Sequence, residues 1–142
     1  MRVLGLDVGE KTIGVAVSDP LGITAQGLEV IRRSTLDQDL QQLVGLAASY
    51  KVEEIVVGMP RRTDGSYGPE AEKVELFAKA LQKAVSVPVK FWDERFSTVT
   101  AQRILLEGDV SRAKRRQVVD KVAASIILQA YLDQQRGGLT NE

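Results

Sequence analysis

The chain has 142 residues, 44% hydrophobic and 27% charged, and its 19 basic and 19 acidic side chains leave a formal net charge of zero. That composition is that of a soluble globular domain large enough for a core, and it leaves any nucleic-acid binding to a local basic patch. Cysteine and histidine are both absent, which excludes disulfides and thiolate metal sites, removes the commonest general base, and leaves oxygen ligands, hence Mg²⁺ or Mn²⁺, for any metal.

No apolar stretch approaches the roughly 20 residues of a membrane helix. Asp7 interrupts the first apolar run too early for a signal peptide, so a cytoplasmic location is expected. The run Val3-Leu4-Gly5-Leu6, bounded by Val8-Gly9, suits a strand covered on both faces. Alternation places Val3, Gly5 and Asp7 on one face and Leu4, Leu6 and Val8 on the other. Glu10-Lys11-Thr12 turns the chain into a second strand, Ile13–Val17. Asp19-Pro20-Leu21-Gly22 is a turn, and a third strand runs from about Thr24 to Arg32. Three strands joined by tight turns make an antiparallel meander.

Ser34 is expected to cap a helix with Asp37 in its first turn. Leu36, Leu40, Leu43, Val44 and Ala47 recur at helical spacing towards Tyr50. Glu53–Pro60 is a fourth strand, buried in its second half and parallel to a neighbour through a crossover. Arg61–Gly68 is a polar loop with the turn signal Asp64-Gly65. Pro69 opens the next helix, with Val74, Phe77, Ala78, Leu81 and Val85 on its apolar face. Pro88–Trp92 is a fifth strand that runs into Asp93-Glu94-Arg95. Ser97 or Thr98 caps a third helix, with Ala101, Ile104 and Leu105 buried and Gly108 at its end. Ser111–Arg116 is the one concentrated basic segment. A last helix spans about Gln117–Gln135, with Val119, Val122, Ala123, Ile126, Ile127 and Ala130 inward, and residues 139–142 form a frayed tail. The order β-β-β-α-β-α-β-α-α predicts one domain over residues 1–138, an α/β, ribonuclease-H-like fold with a mixed five-stranded sheet and helices on both faces.

Three carboxylates do not behave like surface residues. Asp7 lies inside the first strand, where it either holds a ligand or else caps a turn or pairs with Lys11. Glu94, after Asp93, lies where the fifth strand ends, and could instead pair with Arg95 or Arg103. Asp120 shares a face of the last helix with Ala123, Ala124, Ile127 and Tyr131, and could simply favour that helix's N-terminus. Taken together they suggest more. With the first and fifth strands on the same side of the fourth, the last helix would lay Asp120 across their ends. Three converging carboxylates without His or Cys form a divalent-cation site, suited to activating water and stabilising the leaving oxygen of a phosphodiester. Arg112, Lys114, Arg115 and Arg116, with Arg61 and Arg62 after the fourth strand, can neutralise substrate phosphates, unless they are solvated loop charges. Trp92 reads as core in preference to a base-stacking residue.

Four motifs resemble the YqgF family, described as candidate RuvC-like Holliday junction resolvases and candidate pre-16S rRNA nucleases. They are Gly5-Leu6-Asp7-Val8-Gly9 with Ile13-Gly14-Val15-Ala16, Val57-Gly58-Met59-Pro60 with Asp64-Gly65, Asp93-Glu94-Arg95 with Ser97-Thr98, and Asp120 with Ala123-Ala124 and Ile127-Leu128. They fall in the family's order across nearly the whole chain. The resemblance implies a metal-dependent nuclease, with catalytic and metal-holding roles for Asp7, Glu94 and Asp120. It also implies action on precursor 16S rRNA, with ribosomal particles as possible partners. Cutting of four-way DNA junctions, or a non-catalytic RNA-binding role in ribosome assembly, are the alternatives. The residues alone do not choose RNA over DNA.

Overall fold

The computed structural model describes residues 1–60, 66–94 and 112–140, with the backbone alone for 112–120 and 138–140. Its elements are β1 (Val3–Val8), β2 (Thr12–Ser18), β3 (Ala25–Arg32), α1 (Leu36–Ser49), β4 (Glu54–Met59), α2 (Pro69–Ala84), β5 (Val89–Asp93) and α3 (Arg112–Thr140). The helix expected between Ser97 and Gly108 lies outside the described residues, as do Arg61 and Arg62.

The five strands form one sheet in the order β3-β2-β1-β4-β5. β2 is antiparallel to β1 and β3, while β4 is parallel to β1 and to β5. This is the mixed sheet of the ribonuclease-H-like fold that the element order predicts. One expectation fails. The first and fifth strands do not share a side of the fourth; they flank it. β2 already occupies one edge of β1 and β4 the other, so β5 cannot lie beside β1, and it pairs with the outer edge of β4.

Alternation along β1 divides the core as expected. Leu4 and Leu6 join Ile55, Val57, Leu43 of α1 and Phe77 and Leu81 of α2 in one buried cluster. Val3 joins Val56, Trp92 and the Ala123, Ala124, Ile127, Leu128, Tyr131 and Leu132 stripe of α3 in the other. Trp92 is thus a core residue, with its ring edge-on to Tyr131 at 6.1 Å. The inward face of α3 is rotated from the expected one: Leu128, Tyr131 and Leu132 are buried, whereas Val122, Ile126 and Ala130 are only half-buried.

Two helix starts also differ from expectation. Thr35, not Ser34, caps α1, its hydroxyl accepting from the Gln38 N–H at 3.2 Å. The Ser34 N–H instead donates to Asp39 Oδ1 at 3.0 Å, and Leu36 is left 46% exposed. α3 begins at Arg112 rather than near Gln117, so most of the basic segment is helical. Arg, Lys and Ala are good helix formers, and nothing at Arg116 stops the helix from extending back. β4 is buried along its whole length, including Glu54.

Candidate active site

The carboxyl ends of the parallel strands β1, β4 and β5 lie along one edge of the sheet, where open α/β sheets bind ligands. Asp7 sits at that end of β1, on the face that packs against α3. It is only 8% exposed and lies opposite Gly14 of β2. Burying a carboxylate there is costly without compensation. Glu94 directly follows β5. Between the two strands lies Gly58 of β4, level with Trp92. A Cβ at position 58 would stand 2.9 Å from Glu94 Oε1 and 2.6 Å from Ile127 Cδ1. The missing side chain therefore makes the space in which the Glu94 carboxylate lies across the middle strand. Asp7 and Glu94 line the same cavity, of about 400 Å³.

The rest of the wall comes from the β1–β2 turn, the end of β3 and the start of α2. The Gly9 N–H donates to the Thr12 carbonyl at 2.9 Å, and the Arg33 N–H to the Lys11 carbonyl at 2.9 Å. Arg33 Nη1 donates to the Gly9 carbonyl at 2.8 Å, and its Nε to Asp39 Oδ2 at 3.2 Å. Its guanidinium lies 5.1 Å from the centre of the Phe77 ring. Across the rim, Lys73 Nζ meets Glu10 Oε1 at 2.9 Å. The Lys73 hydrogen bond and charge hold the Glu10 carboxyl below its ordinary pKa, and Glu10 raises that of Lys73. Both are exposed, so this pair marks the rim more than it stabilises the fold. Among the described residues, Asp7, Glu10, Glu70 and Glu94 line the cavity with Arg33 and Lys73. An excess of carboxylates, all oxygen donors, with a glycine cradle beneath one of them, fits a hard divalent cation.

Of the residues the sequence marks, Asp7 and Glu94 come together. Asp120 lies in α3, one turn before Ala123 and Ala124, and its side chain is outside the described residues. Arg112, Lys114, Arg115 and Arg116 occupy the first turns of α3, again with backbone alone described. Among the described residues no group of three His, Cys, Asp or Glu stands close enough to hold a metal.

Sequence reasoning missed two buried carboxylates, Asp39 (1% exposed) and Glu54 (6%). A signal existed for each. Asp39 stands four residues before the core residue Leu43, on one helix face with it, and Glu54 alternates in register with Val56 and Gly58. Glu54 lies at the opposite end of the sheet from the cavity, accepting the Tyr131 hydroxyl hydrogen bond and pairing with Lys90 Nζ at 3.0 Å. Arg33 was missed because it reads as one of two adjacent surface arginines.

The chain is 61% identical over 135 residues to a candidate pre-16S rRNA nuclease of Halothermothrix orenii, covering 95% of this chain and 96% of that protein. It is 62% identical over 133 residues to one from Moorella thermoacetica, covering 94% and 95%. Among solved structures, Thermus thermophilus RuvC in complex with a Holliday junction substrate matches with a TM-score of 0.60 at 19% identity over 96% of each chain. Fowlpox virus resolvase with its Holliday junction DNA matches at 0.55 and 10% identity, over 95% of this chain and 99% of that one. Identities this low speak to the fold, which is ribonuclease-H-like. A family model described as RuvX, Holliday junction resolvase, matches residues 1–134, and with relatives this similar the chain belongs to the RuvX (YqgF) family.

Proposed function

We propose that the chain is a divalent-metal-dependent endonuclease that hydrolyses phosphodiester bonds of RNA, processing the 5′ end of precursor 16S rRNA in the cytoplasm. The observation that carries this reading is the meeting of Asp7 and Glu94 in one cavity, with Gly58 clearing the space between their strands. No helix among the described residues is long and apolar enough to cross a membrane. Asp7, Glu94 and Asp120 would hold Mg²⁺ or Mn²⁺. Such an ion supplies Lewis-acid activation of water and charge neutralisation at the leaving oxygen, which suits a chain without histidine. Arg61 and Arg62, and Arg112, Lys114, Arg115 and Arg116, would neutralise flanking phosphates. The names of the similar proteins favour precursor rRNA as the substrate, with ribosomal particles as partners.

The family description favours a second reading, a resolvase of four-way DNA junctions. That activity needs two sites, hence a symmetric dimer. The test compares cleavage of a precursor rRNA fragment and a four-way junction in Mg²⁺, Mn²⁺ or EDTA, for wild type and Asp7→Asn. The expected result is metal-dependent RNA cleavage that falls by at least roughly a hundredfold in the variant, the scale of losing one preorganised electrostatic group. Wild-type cleavage by a pure, folded Asp7→Asn protein would sink the site. Symmetric junction cutting would replace RNA with DNA. RNA binding without any cleavage, metal or not, would leave a ribosome-assembly factor.

A further inference from the structure

We infer that Arg33 forms a phosphate subsite in the cavity wall, gripping a phosphodiester of the bound strand next to the one cut. The inference rests on the nuclease reading for the identity of the strand; its geometry does not. Arg33 ends the meander, one residue past β3, and its guanidinium is held on three sides. Asp39 takes Nε, the Gly9 carbonyl takes Nη1, and the Phe77 ring lies against it. Asp39 is 1% exposed and accepts a second hydrogen bond from the Ser34 N–H at 3.0 Å. The fork is therefore fixed before any ligand arrives, by α1, α2 and the β1–β2 turn.

A guanidinium carries five N–H donors. Only two are used among the described residues, in the bonds to Asp39 and Gly9. Arg33 is about a quarter exposed and lines the same cavity as Asp7 and Glu94. Among the described residues the other cation of that wall is Lys73, which is engaged with Glu10. Arg33 is thus, among the described residues, the cavity cation whose remaining donors are preset for a planar, two-point grip on phosphate oxygens, which is the chemistry Arg serves best.

A phosphate contact has a signature that a structural role lacks: it sets the salt dependence of binding. Each phosphate neutralised on a single strand adds about 0.7 to the slope of log Kobs against log [salt]. The experiment measures binding of a labelled precursor rRNA fragment, and of a four-way DNA junction, across a KCl series in EDTA, where metal-dependent cleavage does not compete. The proteins are wild type, Arg33→Gln, and the double variant Arg33→Gln with Asp39→Asn. The double variant removes the buried charge that the single one strands, and it leaves the net charge of the chain at its present zero. Both Arg33 variants should flatten the RNA slope by about 0.7. Flattening on the junction alone would support the phosphate subsite and assign it to DNA. An unchanged slope on both ligands in the folded double variant overturns the subsite, as does wild-type binding that shows no salt dependence. Because the readout is binding, the subsite can stand if the wild type cuts nothing, and fall if it cuts RNA well.

Discussion

An alanine at position 58 would put its Cβ 2.6 Å from Ile127 Cδ1 and 2.9 Å from Glu94 Oε1. Both atoms are the far ends of flexible side chains, so the fold can yield by small shifts at a cost of about 1 kcal/mol. The site cannot yield so cheaply, because displacing a reacting group by about 1 Å can cost on the order of a hundredfold in rate. Gly58→Ala is therefore expected to lower RNA cleavage by roughly ten- to a hundredfold while its thermal unfolding stays within a few degrees of wild type. Cleavage at the wild-type rate would mean that the Glu94 carboxylate does not need the space over β4. At this scale the sequence is informative where one residue breaks a pattern. Asp7 stands out because an apolar, two-faced strand has no cheap place for a charge. Arg33 does not stand out, because its meaning depends on Asp39, Gly9 and Phe77, which no local spacing brings together.

The three helices among the described residues show how far periodicity reaches. It gives α2 nearly whole, from Pro69 at the first helical position, because its apolar residues recur cleanly and proline fixes the start. It misplaces the cap of α1 by one residue, since Ser34 and Thr35 have the same capping chemistry and are separated by the bonds they make, Ser34 to the Asp39 and Gln38 side chains and Thr35 to the Gln38 N–H. It shortens α3, whose basic first turns carry no apolar stripe for a pattern to follow. Element packing also gives the same substitution opposite signs at two glycines. In β1, a Cβ on Gly5 would meet Leu128 Cβ at 2.7 Å and the Ala124 carbonyl oxygen at 3.4 Å, groups on the helix body that cannot swing aside, so α3 must move. Gly45 in α1 is exposed, and its Cβ would meet nothing within 4 Å. Gly5→Ala should destabilise by about 1–3 kcal/mol, and Gly45→Ala should stabilise by about 0.5–1 kcal/mol. Denaturant unfolding of the two variants checks both signs, and a stabilised Gly5→Ala would show that α3 does not press on β1 as described.

Across the whole molecule, α3 spans the sheet from the cavity end to the far end, and one buried network ties it down there. The Tyr131 hydroxyl donates to Glu54 of β4, and Lys90 of β5 pairs with the other oxygen of that carboxylate. The sequence hides this link because Glu54 and Tyr131 are far apart in the chain and meet only once the crossovers have placed β4 beneath the helix. Burial first, then the hydrogen bond and charge of Glu54, raise the Tyr131 pKa above its ordinary value. The folded chain therefore keeps the phenolic proton where the unfolded chain gives it up. The stability this contributes is complete below about pH 10, the unfolded value, and is lost as the pH rises further. Tyr131→Phe keeps the ring packing but leaves Glu54 with Lys90 as its remaining named partner, so it should cost about 1–3 kcal/mol at neutral pH. Above about pH 10 the gap should close, because the wild type alone must then deprotonate on unfolding what its fold holds protonated. Urea unfolding of both proteins at pH 7, 9 and 11 reads this directly. A gap that stays constant to pH 11 would mean that the hydroxyl does not hold its proton against Glu54, and that α3 is fixed over the sheet by its apolar face and by the bonds of Gln129 and Arg136 to residues 23 and 25.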